Sequence, residues 1–133
     1  MALVFRSLHA AAKPELLNEE WLVLENTGPG MLNAAGWTLA VAAARGQRPR
    51  SLGTLSPGFV VKAGEKVRLV TGSPSKKAQG TPPADEEGLR SYHLFLREPV
   101  LRKAGQVVYV QLKQLELARS TFDPAAPDGI ARE

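Results

Sequence analysis

The sequence predicts an all-β domain, a sandwich or barrel, and three observations predict it. Turn formers at Thr27-Gly28-Pro29-Gly30, Ser56-Pro57-Gly58, Ala63-Gly64-Glu65, Gly72-Ser73-Pro74-Ser75 and Gly80-Thr81-Pro82-Pro83 divide the chain. Clusters of glycine and proline end regular structure, because one supplies positive φ and the other removes a backbone donor. Between them lie Leu3 to Leu8, Trp21 to Asn26, Trp37 to Val41, Phe59 to Lys62, Lys66 to Thr71, Tyr92 to Leu96 and Val107 to Leu112, mostly four to seven residues each. These runs are rich in β-branched and aromatic side chains, which suit a pleated, half-buried surface. Several also alternate: Trp37, Leu39 and Val41 share one strand face, as do Val67 and Leu69, leaving Lys66, Arg68 and Val70 opposite.

Taken in order, Trp21-Leu22-Val23-Leu24 is apolar on both faces, which fits a central strand covered on each side. Pro14 to Glu20 has a proline and acids placed to open a helix. Gln111 to Arg119 (QLKQLELAR) is rich in helix formers. Both are assigned to strand or loop, since tertiary pairing with flanking strands overrides short helical propensity. Ser73 to Gly88 is polar, proline-rich and long for a loop, and is expected to be mobile. The expected domain spans 1–123, followed by a flexible tail at 124–133. The expected core includes Leu22, Leu24, Trp37, Leu39, Val67 and Leu69.

Composition narrows the function classes. A chain of 133 residues with 44% hydrophobic and 23% charged side chains is one globular domain, neither a disordered tail nor a membrane span. Its lack of cysteine removes disulfides, Cys-ligated zinc, iron–sulfur clusters and thiol catalysis. Arg6, Ser7 and His9 interrupt the apolar start that a secretory signal needs, so an intracellular, cytoplasmic location is expected. The net charge of +4 is concentrated: residues 1–44 carry −2, residues 45–77 carry +7, and residues 78–133 carry −1. Arg45, Arg48, Arg50, Lys62, Lys66, Arg68, Lys76 and Lys77 form the excess. Such a stretch can draw in nucleic acid or an acidic protein through counterion release and steering, or can simply be solvated strand faces.

The chemistry of catalysis finds little support. Gly28 and Gly30 follow a strand but lack the third glycine and the helix of a phosphate-binding loop. Glu19-Glu20 and Asp85-Glu86-Glu87 are adjacent carboxylates, and an acid pair becomes catalytic only across a cleft. His9 and His93 are two ligands at most, fewer than zinc requires, and each reads as a strand-end imidazole bonded to backbone. No Gly-x-Ser-x-Gly elbow occurs. No catalytic residue, cofactor or metal is expected. Trp37 reads as a core anchor, while Trp21 shares its strand face with Glu25.

Asn18-Glu19-Glu20-Trp21-Leu22-Val23-Leu24-Glu25-Asn26-Thr27-Gly28, then Ala35-Gly36-Trp37-Thr38-Leu39, then Leu55-Ser56-Pro57-Gly58 and Val61 to Leu69, resemble the lamin-tail domain. Ala104-Gly105-Gln106-Val107-Val108-Tyr109-Val110 looks like that family's late Gly-x-x-Val strand. The resemblance runs from about Leu3 to Phe122, with the insert Ala42 to Leu52 and the loop Ser73 to Gly88 departing from the pattern. It implies an immunoglobulin-like antiparallel β-sandwich and a non-enzymatic interaction module, in some members for DNA or chromatin. Physically, Asn26 can bond its own backbone to start a turn, and Gly36 lets the chain bend before Trp37.

The leading expectation is a module that binds a protein partner or self-associates weakly through sheet edges and loops. Nucleic-acid binding through the eight basic residues of 45–77 is the alternative. A small hydrolase using His93 or the Glu19-Glu20 pair is the third reading. No membrane partner is expected.

Overall fold

The computed structural model describes residues 3–55 and 59–132. Among the described residues ten strands form the fold: β1 (Leu3–His9), β2 (Trp21–Asn26), β3 (Leu32–Asn33), β4 (Thr38–Ala42), β5 (Arg50–Thr54), β6 (Val60–Val61), β7 (Lys66–Val70), β8 (Leu89–His93), β9 (Val107–Leu112) and β10 (Leu115–Thr121). One four-stranded sheet has the order β1-β2-β7-β8, the other β10-β9-β4-β5, and β3 pairs with β6 in a small ribbon. The protein is an all-β sandwich of immunoglobulin-like kind. The turn at Ser56-Pro57-Gly58 lies outside the described residues.

Alternation builds the core. Leu22 and Leu24 of β2, Val67 and Leu69 of β7, Leu39 and Val41 of β4, and Val108 and Val110 of β9 join Trp37 in one buried apolar cluster. Hydrophobic burial of this kind drives folding at ~25 cal/mol per Å² of apolar surface. Gln111 to Arg119 is the end of β9, a turn and most of β10, not a helix. Pro14 to Glu20 ends in a single 3₁₀ turn, Leu17–Glu19, that delivers the chain into β2. The last strand of the first sheet begins earlier than the Tyr92 to Leu96 run, at Leu89.

One pairing departs from an all-antiparallel sandwich: β7 and β8 run parallel, Lys66 opposite Leu89 and Val70 opposite His93. Parallel neighbours need a crossover that returns the chain to the starting end of the sheet. Residues 71–88 make that crossover over the outer face of the first sheet. Arg68 points to that face, yet it is only 6% exposed. Its guanidinium donates to Ala84 O at 3.2 Å and Ser91 Oγ at 3.2 Å, and it lies 5.3 Å from the Trp21 ring centroid. Val23 and Val70 are buried on the same face.

The crossover is tied down at its first half by buried Asn18, whose Nδ2 donates to Ser73 O at 2.8 Å and Gly80 O at 3.1 Å. Gln79 Oε1 accepts from Ser73 N at 2.7 Å. At its second half Asp85 accepts from Ser91 N at 2.9 Å. The segment expected to be a mobile loop is therefore a bonded layer on the sheet.

Residues 124–132, expected to be a flexible tail, fold back between the two sheets' edge strands. Asp128 O accepts from Leu8 N at 2.8 Å, Ala131 N donates to Thr121 O at 2.9 Å, and Phe122 bridges Ile130. This segment joins β1 to β10 and closes that side of the sandwich. Gly129 makes the approach possible: at φ +77°, an added Cβ would sit 1.8 Å from Leu8 O.

Candidate functional site

The opposite side of the sandwich is open. There β5 is an edge strand, paired with β4 alone, so the other rim of its backbone has no strand neighbour among the described residues. An unpaired rim of N–H and C=O groups is a template for an added strand. Facing it is the segment that follows β8. Leu94 N donates to Val70 O at 2.8 Å and Leu96 N to Thr71 O at 2.9 Å, which keeps this segment on the first sheet. Leu94 and Leu96 pack against the core, and Leu96 Cδ2 lies 3.6 Å from where a Cβ on Gly53 would stand.

A groove runs between these two banks in two compartments that meet at Leu96. The first is lined by Leu39, Leu55, His93 and Phe95. The second is lined by Arg50, Leu52, Leu96, Arg97, Glu98 and Pro99. Phe95 stands at the rim, 65% exposed with φ +55°. Positive φ is rare for a bulky residue and costs about 1–2 kcal/mol. Strain of that size persists only where the surroundings enforce it, here by the flanking bonds of Leu94 and Leu96. The result is an aromatic ring turned out of the core beside a free strand edge.

The eight basic residues do not share a surface. Arg45, Arg48 and Arg50 lie in and after the β4–β5 turn of the second sheet, all exposed. Lys76 and Lys77 lie at the same end of the sandwich but on the crossover of the first sheet. Lys62 and Lys66 lie at the far end, Lys66 opposite Glu25 on β2. Arg68 is under the crossover. Arg45 borders a separate cleft with Arg119 on the outer face of the second sheet. Only Arg50 belongs to the groove.

The candidate catalytic groups are also dispersed. His9, Trp21, Val70 and His93 stand in one row across the first sheet. The two imidazoles are therefore three strand spacings apart, ~14 Å. His9 Nδ1 is 3.0 Å from Glu19 O and its ring stacks on Trp21 at 4.0 Å, while His93 Nδ1 is 3.1 Å from Gly72 O. Glu20 is 1% exposed. Its carboxylate accepts from Thr71 Oγ1 at 2.6 Å, Val100 N at 2.8 Å and Leu101 N at 3.0 Å, so every bond it makes is to the scaffold. Among the described residues, no three His, Cys, Asp or Glu side chains stand together as a metal site would require.

Leu22, Leu24, Trp37, Leu39, Val67 and Leu69 are buried in the core. Asn26 Oδ1 accepts from Gly28 N at 3.0 Å, and Gly36 has φ +82°. Arg97 and Phe95 were not singled out by the sequence. Phe95 sat inside a run that reads as a strand, and nothing local announces that its neighbours face inward while it faces out.

No family model matches the chain, and no curated protein is significantly similar to it. Among the described residues, no helix is long and apolar enough to cross a membrane.

Proposed function

We propose that this domain is a non-enzymatic recognition module that takes an extended peptide segment of a protein partner along the free edge of β5. The observation that carries the reading is the conjunction of an unpaired strand rim with a groove beside it and an exposed, strained aromatic at the groove's lip. In strand addition, backbone bonds supply affinity and alternate side chains entering pockets supply selection. Exposed aromatic anchors are the side chains that most often dominate such contacts. The motif resemblance to the lamin-tail domain, an interaction module, supports the same reading. The dispersal of the basic residues over two sheets and both ends gives nucleic acid no continuous track.

The test is hydrogen–deuterium exchange with extended peptides selected from a displayed library against the intact chain. Protection confined to residues 50–54 and 94–97, lost in Phe95→Asp, is the expected result. Sedimentation velocity showing dimers with that same protection would make a second copy the occupant of the edge. Protection on another surface, or binding indifferent to Phe95→Asp, would overturn the reading.

A further inference from the structure

Resting on that reading, we propose that the second compartment of the groove recognises an acidic side chain of the bound peptide, held between Arg50 and Arg97. These two arginines stand on opposite banks of one cleft, Arg50 on β5 and Arg97 on the segment after β8. Both are exposed, and neither enters an ion pair or a side-chain hydrogen bond among the described residues. Glu98, the carboxylate that also lines the cleft, accepts from Arg102 Nη2 at 3.2 Å. Two guanidinium groups lining one cleft give a carboxylate or phosphate seated there charge-assisted bonds from both banks.

The neighbouring compartment gives the peptide a second requirement. Leu39, Leu55 and Phe95 form an apolar seat on the other side of Leu96. Side chains on one face of an extended strand recur every second residue, ~6.8 Å apart. An occupant that fills both compartments therefore presents an apolar residue and an acidic residue on the same face, separated by an odd number of intervening positions. The partner class is an extended segment alternating apolar and acidic side chains on one face.

The experiment measures affinity by fluorescence anisotropy for one labelled peptide of alternating valine and threonine, with Glu, Gln or phosphoserine at the acidic position. The proteins are the wild-type chain, Arg50→Gln, Arg97→Gln and the double variant, with hydrogen–deuterium exchange locating the bound peptide. The Glu form should bind wild type about tenfold or more tightly than the Gln form, the worth of a bond to a charged group. The double variant should abolish that preference while still binding the Gln form. Both replaced arginines are exposed, so loss of fold does not confuse the result. A phosphoserine form tighter than Glu assigns the anion to a phosphorylated segment, and a weaker one assigns it to a carboxylate. Equal binding of Glu and Gln forms, with protection still at β5, would overturn the acidic seat and leave the groove reading standing. No protection at β5 with any peptide would remove both.

Discussion

Glu20 and Thr71 hold each other at two points: Thr71 N donates to Glu20 O at 3.1 Å, and Thr71 Oγ1 donates to the Glu20 carboxylate at 2.6 Å. The same carboxylate receives Val100 N and Leu101 N, so one buried side chain ties β2 and β7 to the chain entering β9. Three donors converge on a group that, when ionised, only accepts. Glu20→Gln places an amide N–H among them and should destabilise the fold by about 1–3 kcal/mol at neutral pH, read by urea denaturation. Glu20→Ala should be no milder, because it leaves three buried donors unpaired.

Burial raises the Glu20 carboxyl above its ordinary 4.5, against the bonds from Thr71, Val100 and Leu101 and the charge of Arg102, which lower it. The folded state thus keeps this proton to a higher pH than the unfolded chain does. The contribution of this group is fully present below about the ordinary carboxyl value and declines as pH rises through the raised folded value. Denaturation across mildly acidic to neutral pH should show that decline in wild type and lose it in Glu20→Gln. An identical slope in the two proteins would contradict the assignment.

Asn18 anchors the crossover from beneath, with its Nδ2 shared among the carbonyls of Ser73 and Gly80 and, at 3.5 Å, Lys76. Asn18→Ala should cost about 1–3 kcal/mol, since buried acceptors lose their donor. Amide exchange should speed up at 73–80 while β2 and β7 stay protected. Asn18→Asp should be worse than alanine, because it points a carboxylate at carbonyl oxygens.

The β9–β10 hairpin turns on Lys113 and Gln114, at φ +50° and +70°. Two-residue turns of this hand favour Asn-Gly, and side-chain-bearing residues there cost about 1–2 kcal/mol each. Gln114→Gly combined with Lys113→Asn should therefore raise thermal stability, with a gain of about 1 kcal/mol. A lower melting temperature in differential scanning calorimetry would count against this turn geometry.

Gly129→Ala should act in the opposite direction. Both the positive φ and the 1.8 Å approach to Leu8 O exclude a side chain, so the segment 124–132 must leave β1. Exchange should quicken at Leu8 and the described C-terminal residues, with little change at β5.

The alternating strands were legible because period-two burial is a local property. Val67 and Leu69 against Lys66 and Arg68 declare an inner and an outer face without reference to anything distant. β5 was not legible: Arg50-Ser51-Leu52-Gly53-Thr54 lies at an edge, so its residues alternate neither in polarity nor in burial. β10 was obscured by the helix formers of Leu115 to Arg119, overridden by pairing with β9. The burial of Arg68 depends on Ala84 and Ser91, 16 and 23 residues away, joined by a parallel crossover that no local pattern encodes. The groove was hidden for the same reason, since Arg50 and Arg97 come to line one cleft only through the apposition of two distant segments.

The bond between Leu8 and Asp128 sets an order on assembly. A nascent chain can pair its early strands as they emerge, but this flank of the sandwich stays unsealed until the turn around Asp128 has cleared the ribosome. Fusion partners that crowd that turn would be expected to slow maturation more than partners attached by a long spacer.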